Sequence, residues 1–240
     1  MRGVDFDPAL IERLRRASRV LVLTGAGVSA ESGIPTFRGD GGLWREFRAE
    51  DLATPEAFAR DPHLVWTWYE ERRALCRAAQ PGPAHEAIAR LEQGLPEFLL
   101  VTQNVDGLHR RAGSKRMLEI HGCLLEGRCT QTGRTFLLDD PPLDLPVRSP
   151  HADAPARPHV VWFGEAYDAR LLEQALAFEA DVCLAVGTSA AVGVPASLAA
   201  RTPFLVEVNP DETLLSRHAD ACLRGPAGAL LGPLADLWLA

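Results

Sequence analysis

A glycine-rich turn and the polar, aromatic segment after it hold the residue types with the most chemical potential. Residues 25–44 read GAGVSAESGIPTFRGDGGLW and follow the apolar run Val20–Leu23 directly. Gly25 and Gly27 allow a sharp bend and a close approach of backbone to phosphate, and Ala30 completes the G-x-G-x-x-[GA] pattern. The segment therefore predicts a buried strand that ends in a turn able to hold the phosphates of a dinucleotide.

The continuation of this turn is unlike that of an ordinary NAD dehydrogenase. A dehydrogenase continues into a plain helix and then a strand that ends in an acid about 20 residues on. Here Pro35 and the glycines of 39–42 interrupt that space, and Phe37, Arg38 and Trp44 add two aromatic faces and a cation. We interpret the segment as a loop that covers a bound dinucleotide as well as holding its phosphates.

A second polar cluster follows the apolar run Phe98–Val101. The sequence TQNVDGLH brings Gln103, Asn104 and Asp106 to the end of that predicted strand. In open α/β sheets, ligands bind at the carboxyl ends of the strands, so these side chains are candidates for contact with a polar ligand. A helix cap formed by Asn104 or Asp106 is the structural alternative, and it does not exclude a role in binding.

A histidine ends the next predicted strand in the same way, in the sequence EIHG (119–122). A single histidine is often only a structural or surface residue. At the carboxyl end of a strand, however, a neutral imidazole is well placed to act as general base toward a sugar hydroxyl. His121 is therefore the candidate base.

The alternation of apolar runs with helical periodicity predicts an α/β fold, a parallel sheet with helices on both faces. Residues 37–82 and 122–158 break the alternation, the first with helices and the second with many prolines and little strand signal. We predict that these two insertions form a small lobe beside a large domain made of residues 1–36, 83–121 and 159–240. The predicted strands are Val20–Leu23, Phe98–Val101, Met117–Ile120, Val160–Phe163, Val182–Val186 and Phe204–Val208, and the predicted helices are 8–18, 55–79, 83–93, 168–179 and 227–238.

Composition excludes several classes of protein. The 240 residues carry a formal net charge of −7, so no basic surface indicates direct nucleic-acid binding. No apolar run approaches the ~20 residues that span a bilayer, and the N-terminus lacks the apolar centre of a signal peptide. The five cysteines are scattered, which favours reduced thiols over a disulfide framework. We expect a cytoplasmic protein that does not bind membranes; the sequence does not indicate an oligomeric state.

Six motifs in order resemble those of the sirtuins, NAD-dependent protein deacylases. They are GAGVSAESGIPTFRG, TQNVDGLH, EIHG, VVWFGE, GTSAAV and VEVNP, and together they extend the likeness over about residues 8–238. The resemblance implies a Rossmann-like NAD-binding domain and a small domain with a helical module and a zinc module. It also implies that NAD is consumed as co-substrate, that acylated lysines of proteins are the partners, and that nicotinamide, free lysine and O-acyl-ADP-ribose are the products.

The resemblance assigns roles by motif. It makes His121 the base, with Asn104 and Asp106 beside it in the catalytic set. Val160, Val161, Trp162, Phe163 and Gly164 resemble the edge where a substrate peptide pairs as an added strand. The expected cofactor contacts are Gly25, Ala26, Gly27, Pro35, Phe37, Arg38, Trp44, Gln103, Asn104, Asp106, Gly187, Thr188, Ser189, Asn209, Pro210, Asp211 and Ala227.

Tyr69 and Arg72 lie three residues apart in a predicted helix, so they share one face. They resemble the Tyr-x-x-Arg pair of sirtuins that remove succinyl, malonyl and glutaryl groups, with weak deacetylation remaining possible. A carboxylate entering an apolar channel needs a charged partner, and a guanidinium offers a bidentate one. The alternative is a surface arginine paired with Glu70 or another nearby acid.

The zinc module departs from the family pattern. Cys129 is the only retained position of the usual four-cysteine site, because Thr132 stands at the second position and Ser149-Pro150-His151-Ala152 at the later pair. We therefore expect no bound zinc.

Two alternative functions would use the same predicted cofactor site. One is an NAD- or ADP-ribose-binding sensor with little catalysis, and the other is a mono-ADP-ribosyltransferase. Release of nicotinamide that depends on an acylated peptide separates deacylation from both.

Overall fold

The computed structural model describes residues 5–36, 49–140, 142–190 and 193–240. Within these ranges the strands are β1 (Arg19–Thr24), β2 (Glu97–Thr102), β3 (Met117–Glu119), β4 (Gly122–Cys129), β5 (Thr135–Leu137), β6 (Ala156–Val160), β7 (Val182–Val186), β8 (Leu205–Val208) and β9 (Ala221–Leu223). The helices are α1 (Pro8–Arg15), α2 (Gly27–Ala30), α3 (Ala49–Leu52), α4 (Pro55–Arg60), α5 (Pro62–Ala78), α6 (Pro83–Gly94), α7 (Leu108–Arg111), α8 (Ala169–Ala177), α9 (Gly193–Ala200) and α10 (Ala227–Leu239). None of the described helices is both long enough and apolar enough to cross a membrane.

A six-stranded parallel sheet in the order β3-β2-β1-β7-β8-β9 forms the large domain. Its central strands β1, β7 and β8 are short, apolar and almost completely buried because helices cover both faces. Val20 and Val22 of β1 face the core shared with α1, α6 and α10, whereas Leu21 and Leu23 face the core shared with α8 and α9. The predicted α/β sheet with helices on both faces is confirmed.

The strand order reverses between β1 and β7, and this reversal opens a crevice at the carboxyl edge of the sheet. The turns after these two strands touch there: Gly25 N–H donates to Val186 O over 3.1 Å, and Gly27 N–H donates to Gly187 O over 2.9 Å. A Cβ added at Gly25 or Gly27 would lie 2.8 Å from backbone atoms of Gly187. Glycine is therefore required in both turns for the two backbones to meet.

The small lobe corrects the prediction for residues 122–158. This proline-rich stretch contains β4, β5 and the start of β6, which pair as a three-stranded antiparallel sheet in the order β5-β4-β6. The prediction that Val160–Phe163 forms a strand of the parallel sheet is wrong. Strand β6 ends at Val160 and belongs to the sheet of the lobe. β6 thus crosses the predicted domain boundary at residue 159.

The helical part of the lobe also differs in detail from the prediction. The single helix expected over 55–79 is divided at Asp61, which accepts from Leu64 N over 2.9 Å and so caps the start of α5. Helix α5 packs on the lobe sheet, and Trp66 Nε1 donates to Ala156 O over 3.0 Å. The short strand β9 at the sheet edge was not predicted.

Gly122 joins His121 to the lobe sheet at a point where the backbones approach too closely for a side chain. It has a φ of +86°, and an added Cβ would lie 2.1 Å from His159 O. Gly133 has a similar φ of +70° with open space around it, so it isolates the conformational cost from the steric one. We expect Gly133→Ala to lower the free energy of unfolding by about 1–2 kcal/mol and Gly122→Ala by more than about 3 kcal/mol. Chemical denaturation of both variants checks this, and equal losses would contradict it.

Candidate active site

A cavity of about 870 Å³ occupies the crevice between the parallel sheet and the lobe. Every predicted site residue that the structure describes borders it, whereas Phe37, Arg38 and Trp44 lie outside the described residues. The bordering residues from the prediction are Gly25, Ala26, Gly27, Pro35, Tyr69, Arg72, Gln103, Asn104, Asp106, His121, Val160, Val161, Trp162, Phe163, Gly164, Gly187, Thr188, Ser189, Asn209, Pro210, Asp211 and Ala227.

The loop after β2 joins the two sides of the crevice through hydrogen bonds. Gln103 Nε2 donates to Thr188 Oγ1 over 2.9 Å, across to the turn after β7. Thr188 O in turn accepts from Asn209 Nδ2 over 3.1 Å, which ties in the turn after β8. Together with the contact between the turns after β1 and β7, these bonds fix the carboxyl ends of four neighbouring strands, β2, β1, β7 and β8, around the cavity.

The buried hydroxyl of Ser29 connects the other polar groups of the site. It donates to Asp106 Oδ2 over 2.7 Å and accepts from Asn104 Nδ2 over 3.0 Å. Its third partner is His85 Nε2 at 3.3 Å. Because His85 Nδ1 accepts from Gly82 N, the neutral ring carries its proton on Nε2 and donates it to Ser29. This uses the full hydrogen-bonding capacity of the hydroxyl.

A backbone hydrogen bond fixes the tautomer of His121. Nδ1 lies 2.8 Å from Gln103 O, and a carbonyl can only accept, so Nδ1 carries the proton and Nε2 has the lone pair. Burial lowers the pKa of His121, and the bond to Gln103 opposes that effect only in part. The imidazole is therefore neutral at neutral pH, and its basic lone pair is on Nε2.

The helix α5 contributes an aromatic and cationic wall. Tyr69 Oη accepts from Trp162 Nε1 over 2.9 Å, so the phenol proton remains available as a donor. The Arg72 guanidinium lies 3.8 Å above the Trp68 ring, and burial lowers the pKa of this side chain. Among the described residues, no carboxylate lies within ion-pair distance of Arg72; Glu70 pairs with Arg73 instead.

The segment predicted to pair with a peptide has much of its backbone already in use. Val161 N–H donates to His121 O over 2.9 Å, Phe163 N–H to Ala53 O over 3.0 Å, and Trp162 N–H to Glu165 Oε2 over 2.8 Å. These three donors cannot serve an added strand without breaking contacts that hold the cavity wall.

Several residues of the site were missed by sequence reasoning. Trp68 and Cys76 share the cavity face of α5 with Arg72, and helical spacing could have found them. His85 and Tyr167 had no local signal, because their contacts with Ser29 and His121 join distant parts of the chain.

The fold and site together define a class of protein: a doubly wound α/β protein whose switch-point cavity combines a glycine cradle with a neutral histidine base. The Sir2 family pattern matches residues 25–194 of the chain. With an NAD-dependent protein deacylase of Thermus thermophilus the chain is 50% identical over 231 residues, which is 92% of this chain and 90% of that protein. With the NAD-dependent protein deacylase of Aeropyrum pernix it is 49% identical over 219 residues, 88% and 89% of the two chains.

A solved structure agrees with these relatives. The crystal structure of a Sir2 homolog–NAD complex superimposes with a TM-score of 0.90 at 43% identity, covering 98% of this chain and 95% of that one. The chain belongs to the Sir2 family.

His109, behind the cavity, predicts a specific loss of stability in acid. Its Nε2 lies 3.0 Å from Thr24 Oγ1, and burial together with the neighbouring His85 lowers its pKa from 6.5 to about 3. The unfolded chain thus binds a proton that the folded chain excludes, so stability is full above pH ~6.5 and falls with falling pH.

We expect His109→Gln to make the pH dependence of unfolding less steep by about 1.4 kcal/mol per pH unit between about pH 6 and pH 4. Urea unfolding of the two proteins across this range measures the difference. Identical slopes would show that His109 is not buried as a neutral ring.

Proposed function

We propose that this chain removes acyl groups from lysine side chains of proteins with consumption of NAD, and that it prefers acyl groups ending in a carboxylate: succinyl, malonyl and glutaryl. The observation that carries the proposal is one continuous cavity with a glycine cradle, a neutral histidine base, and a Tyr69–Arg72 pair whose donors lack a described carboxylate partner. NAD-dependent deacylation needs the first two features, and a preference for acidic acyl groups needs the third.

The cavity fits a dinucleotide. Gly187 has a φ of +57°, and a Cβ there would lie 2.6 Å from Val28 N, so this turn and that of Gly25 and Gly27 form a cradle with no room for side chains. NAD bound there supplies the glycosidic bond whose cleavage releases nicotinamide. The cradle, with Thr188 and Ser189, would hold its phosphates, and Asn209, Pro210, Asp211 and Ala227 would border its adenosine end.

Residues of the chain would orient the nicotinamide ribose and accept a proton from it. Asn104 and Asp106 are held by Ser29 beside the base, so they can orient the nicotinamide ribose without rearranging. His121 accepts a proton at Nε2 from a ribose hydroxyl, because Nδ1 already carries one. The mostly apolar lining of the cavity would limit the access of water and so protect the reacting bond from simple hydrolysis.

The acyl end is set by α5. The Arg72 guanidinium lies over the Trp68 ring, so its N–H groups remain available to a ligand, and Tyr69 has a proton to donate. Burial raises the pKa of Tyr69 to about 12, so the phenol stays a donor at any physiological pH. A carboxylate reaching this pair would gain a bidentate partner and one further hydrogen bond. An acetyl group leaves Arg72 without that partner but does not clash with it.

The experiment compares matched acetyl-, succinyl- and glutaryl-lysine peptides with NAD and identifies products by mass. We expect nicotinamide, free lysine peptide and O-acyl-ADP-ribose, with the acidic acyl groups processed faster. Arg72→Met should lower kcat/KM for the succinyl peptide roughly 100-fold and that for the acetyl peptide less than about threefold, because only the first loses a buried charge partner. Arg77→Met removes a cation from the same helix outside this cavity and should change neither.

Other outcomes of that experiment identify the rival functions. His121→Tyr should abolish net turnover in a folded protein, and an active variant would contradict the role of the base. Binding of NAD without peptide-dependent release of nicotinamide indicates a sensor, and ADP-ribose attached to protein indicates a mono-ADP-ribosyltransferase. Equal rates on acetyl and succinyl peptides, unchanged in Arg72→Met, would contradict the acyl preference.

We also propose that the lobe folds without zinc. The donor set does not fit the metal: Cys129 is joined by the hydroxyl residues Thr132 and Ser149, and no group of three or more His, Cys, Asp or Glu side chains in the described chain could hold an ion. Hydrogen bonds take its place. Thr132 N–H donates to Cys129 Sγ over 3.4 Å, and contacts with Ser149 and Thr132 lower the pKa of the Cys129 thiol to about 7.

We expect metal analysis of protein purified without an affinity tag to find far less than one zinc per chain. We also expect a chelator to leave the Tm unchanged, because no metal contributes to folding. A stoichiometric zinc content, or a Tm that falls with chelator and returns with zinc, would contradict the proposal.

A further inference from the structure

The ring of Tyr167 stacks on His121 in the cavity. The two ring centroids are 5.5 Å apart with an interplanar angle of 20°, and Tyr167 Oη lies 3.3 Å from His121 Nε2. Because Nδ1 donates its proton to Gln103 O, Nε2 is the nitrogen that carries the lone pair. Because burial raises the pKa of Tyr167, its phenol is protonated and donates to that lone pair.

The backbone around Tyr167 is anchored on both sides. Glu165, two residues earlier, forms a two-point ion pair with Arg157 and accepts from Trp162 N–H. Asp168, the next residue, caps α8 by accepting from Arg170 N over 2.8 Å. The ring itself packs against the apolar core under α8. The position of the phenol is therefore set by structure that does not depend on a ligand.

We propose that Tyr167 is a positioning residue for the base: its ring holds the imidazole plane, and its hydroxyl caps Nε2 until a ribose hydroxyl takes that place. The proposal rests on the proposed deacylase function for the identity of the incoming hydroxyl. The hydrogen bond from Tyr167 occupies the lone pair of Nε2, so the base becomes available only when the co-substrate is in position.

Three charged groups that line the cavity have partners other than His121. The Asp106 carboxylate accepts from Ser29 and from Leu108 N, Glu165 pairs with Arg157, and Arg72 lies on Trp68. Among the described residues, Tyr167 supplies the one hydrogen bond to Nε2. A phenol that donates to this lone pair stabilises the neutral imidazole, so removing the hydroxyl should favour the protonated ring.

The first test uses the protein without ligands. Nitrogen-15 NMR of labelled histidine, with the His121 signals assigned from a His121→Gln variant, gives the pKa and tautomer of this ring. We expect Tyr167→Phe, which keeps the stacked ring and loses only the hydroxyl, to raise that pKa by about half to one unit. Phe178→Leu alters the same apolar core without touching His121, so it should leave the pKa unchanged. An unmoved pKa in Tyr167→Phe would overturn the proposal.

The second test separates the two halves of the reaction. Exchange of labelled nicotinamide into NAD, dependent on acyl-peptide, reports cleavage of the glycosidic bond, whereas net deacylation also requires the base. We expect Tyr167→Phe to leave exchange unchanged within about twofold and to move the acid limb of the deacylation pH profile to higher pH, in step with the pKa of His121. Tyr167→Leu, which loses the ring as well, should also lower kcat.

The outcomes distinguish the two proposals. If wild-type protein shows no acyl-peptide-dependent exchange, the proposed deacylase function fails, while the NMR result still decides whether Tyr167 caps His121. If Tyr167→Phe lowers exchange and deacylation equally with the acid limb in place, Tyr167 has only a structural role and the further proposal is wrong.

Discussion

The contact between the turn after β1 and the turn after β7 is the constraint on which the rest of the site depends. The two backbones meet through the hydrogen bonds from Gly25 to Val186 and from Gly27 to Gly187, at separations that leave no space for a Cβ. The parallel register of β1 and β7 brings both turns to the same edge of the sheet. The backbone contact then fixes Ser29 on one turn and Thr188 on the other, and these two hydroxyls hold Asn104, Asp106 and Gln103.

The Ser29 hydroxyl shows why the site is rigid as a unit. It joins residues of α2, α6 and the loop after β2, and each of its hydrogen bonds satisfies a buried partner. A buried polar group that loses its partner costs about 1–3 kcal/mol, so the network is stable when complete and costly when any member is missing. Burial lowers the pKa of His85 as well, which lets this histidine act as a neutral donor rather than a charge.

The sequence predicted those parts of the site that follow from local pattern. Polar clusters after apolar runs located Asn104, Asp106 and His121, because the ends of parallel strands meet at one edge of the sheet. Helical spacing placed Tyr69 and Arg72 on one face. Phe37, Arg38 and Trp44 stay predictions, since they lie outside the described residues.

The parts that could not be predicted depend on contacts between distant segments. Residues 122–160 form an antiparallel sheet although prolines weaken the strand pattern, since the pairing of β4 with β5 and β6 supplies order that propensity does not. Apolar residues at 160–163 imitate a strand of the parallel sheet, yet they follow a lobe strand and line the cavity. His85 and Tyr167 acquire their contacts only through the tertiary fold.

Arg157 on β6 is the point where the lobe acts on the candidate active site. Its guanidinium lies 3.3 Å above the Trp162 ring and pairs with Glu165, so it fixes both residues. Trp162 holds the Tyr69 hydroxyl, and Glu165 anchors the segment that carries Tyr167. The Tyr69 side and the His121 side of the cavity thus share one support. Because β6 pairs with β4 from Ala156 opposite Cys129, the register of that support begins at the turn that holds Cys129. The hydrogen bonds of this turn therefore bear on the geometry of the cavity as well as on the stability of the lobe.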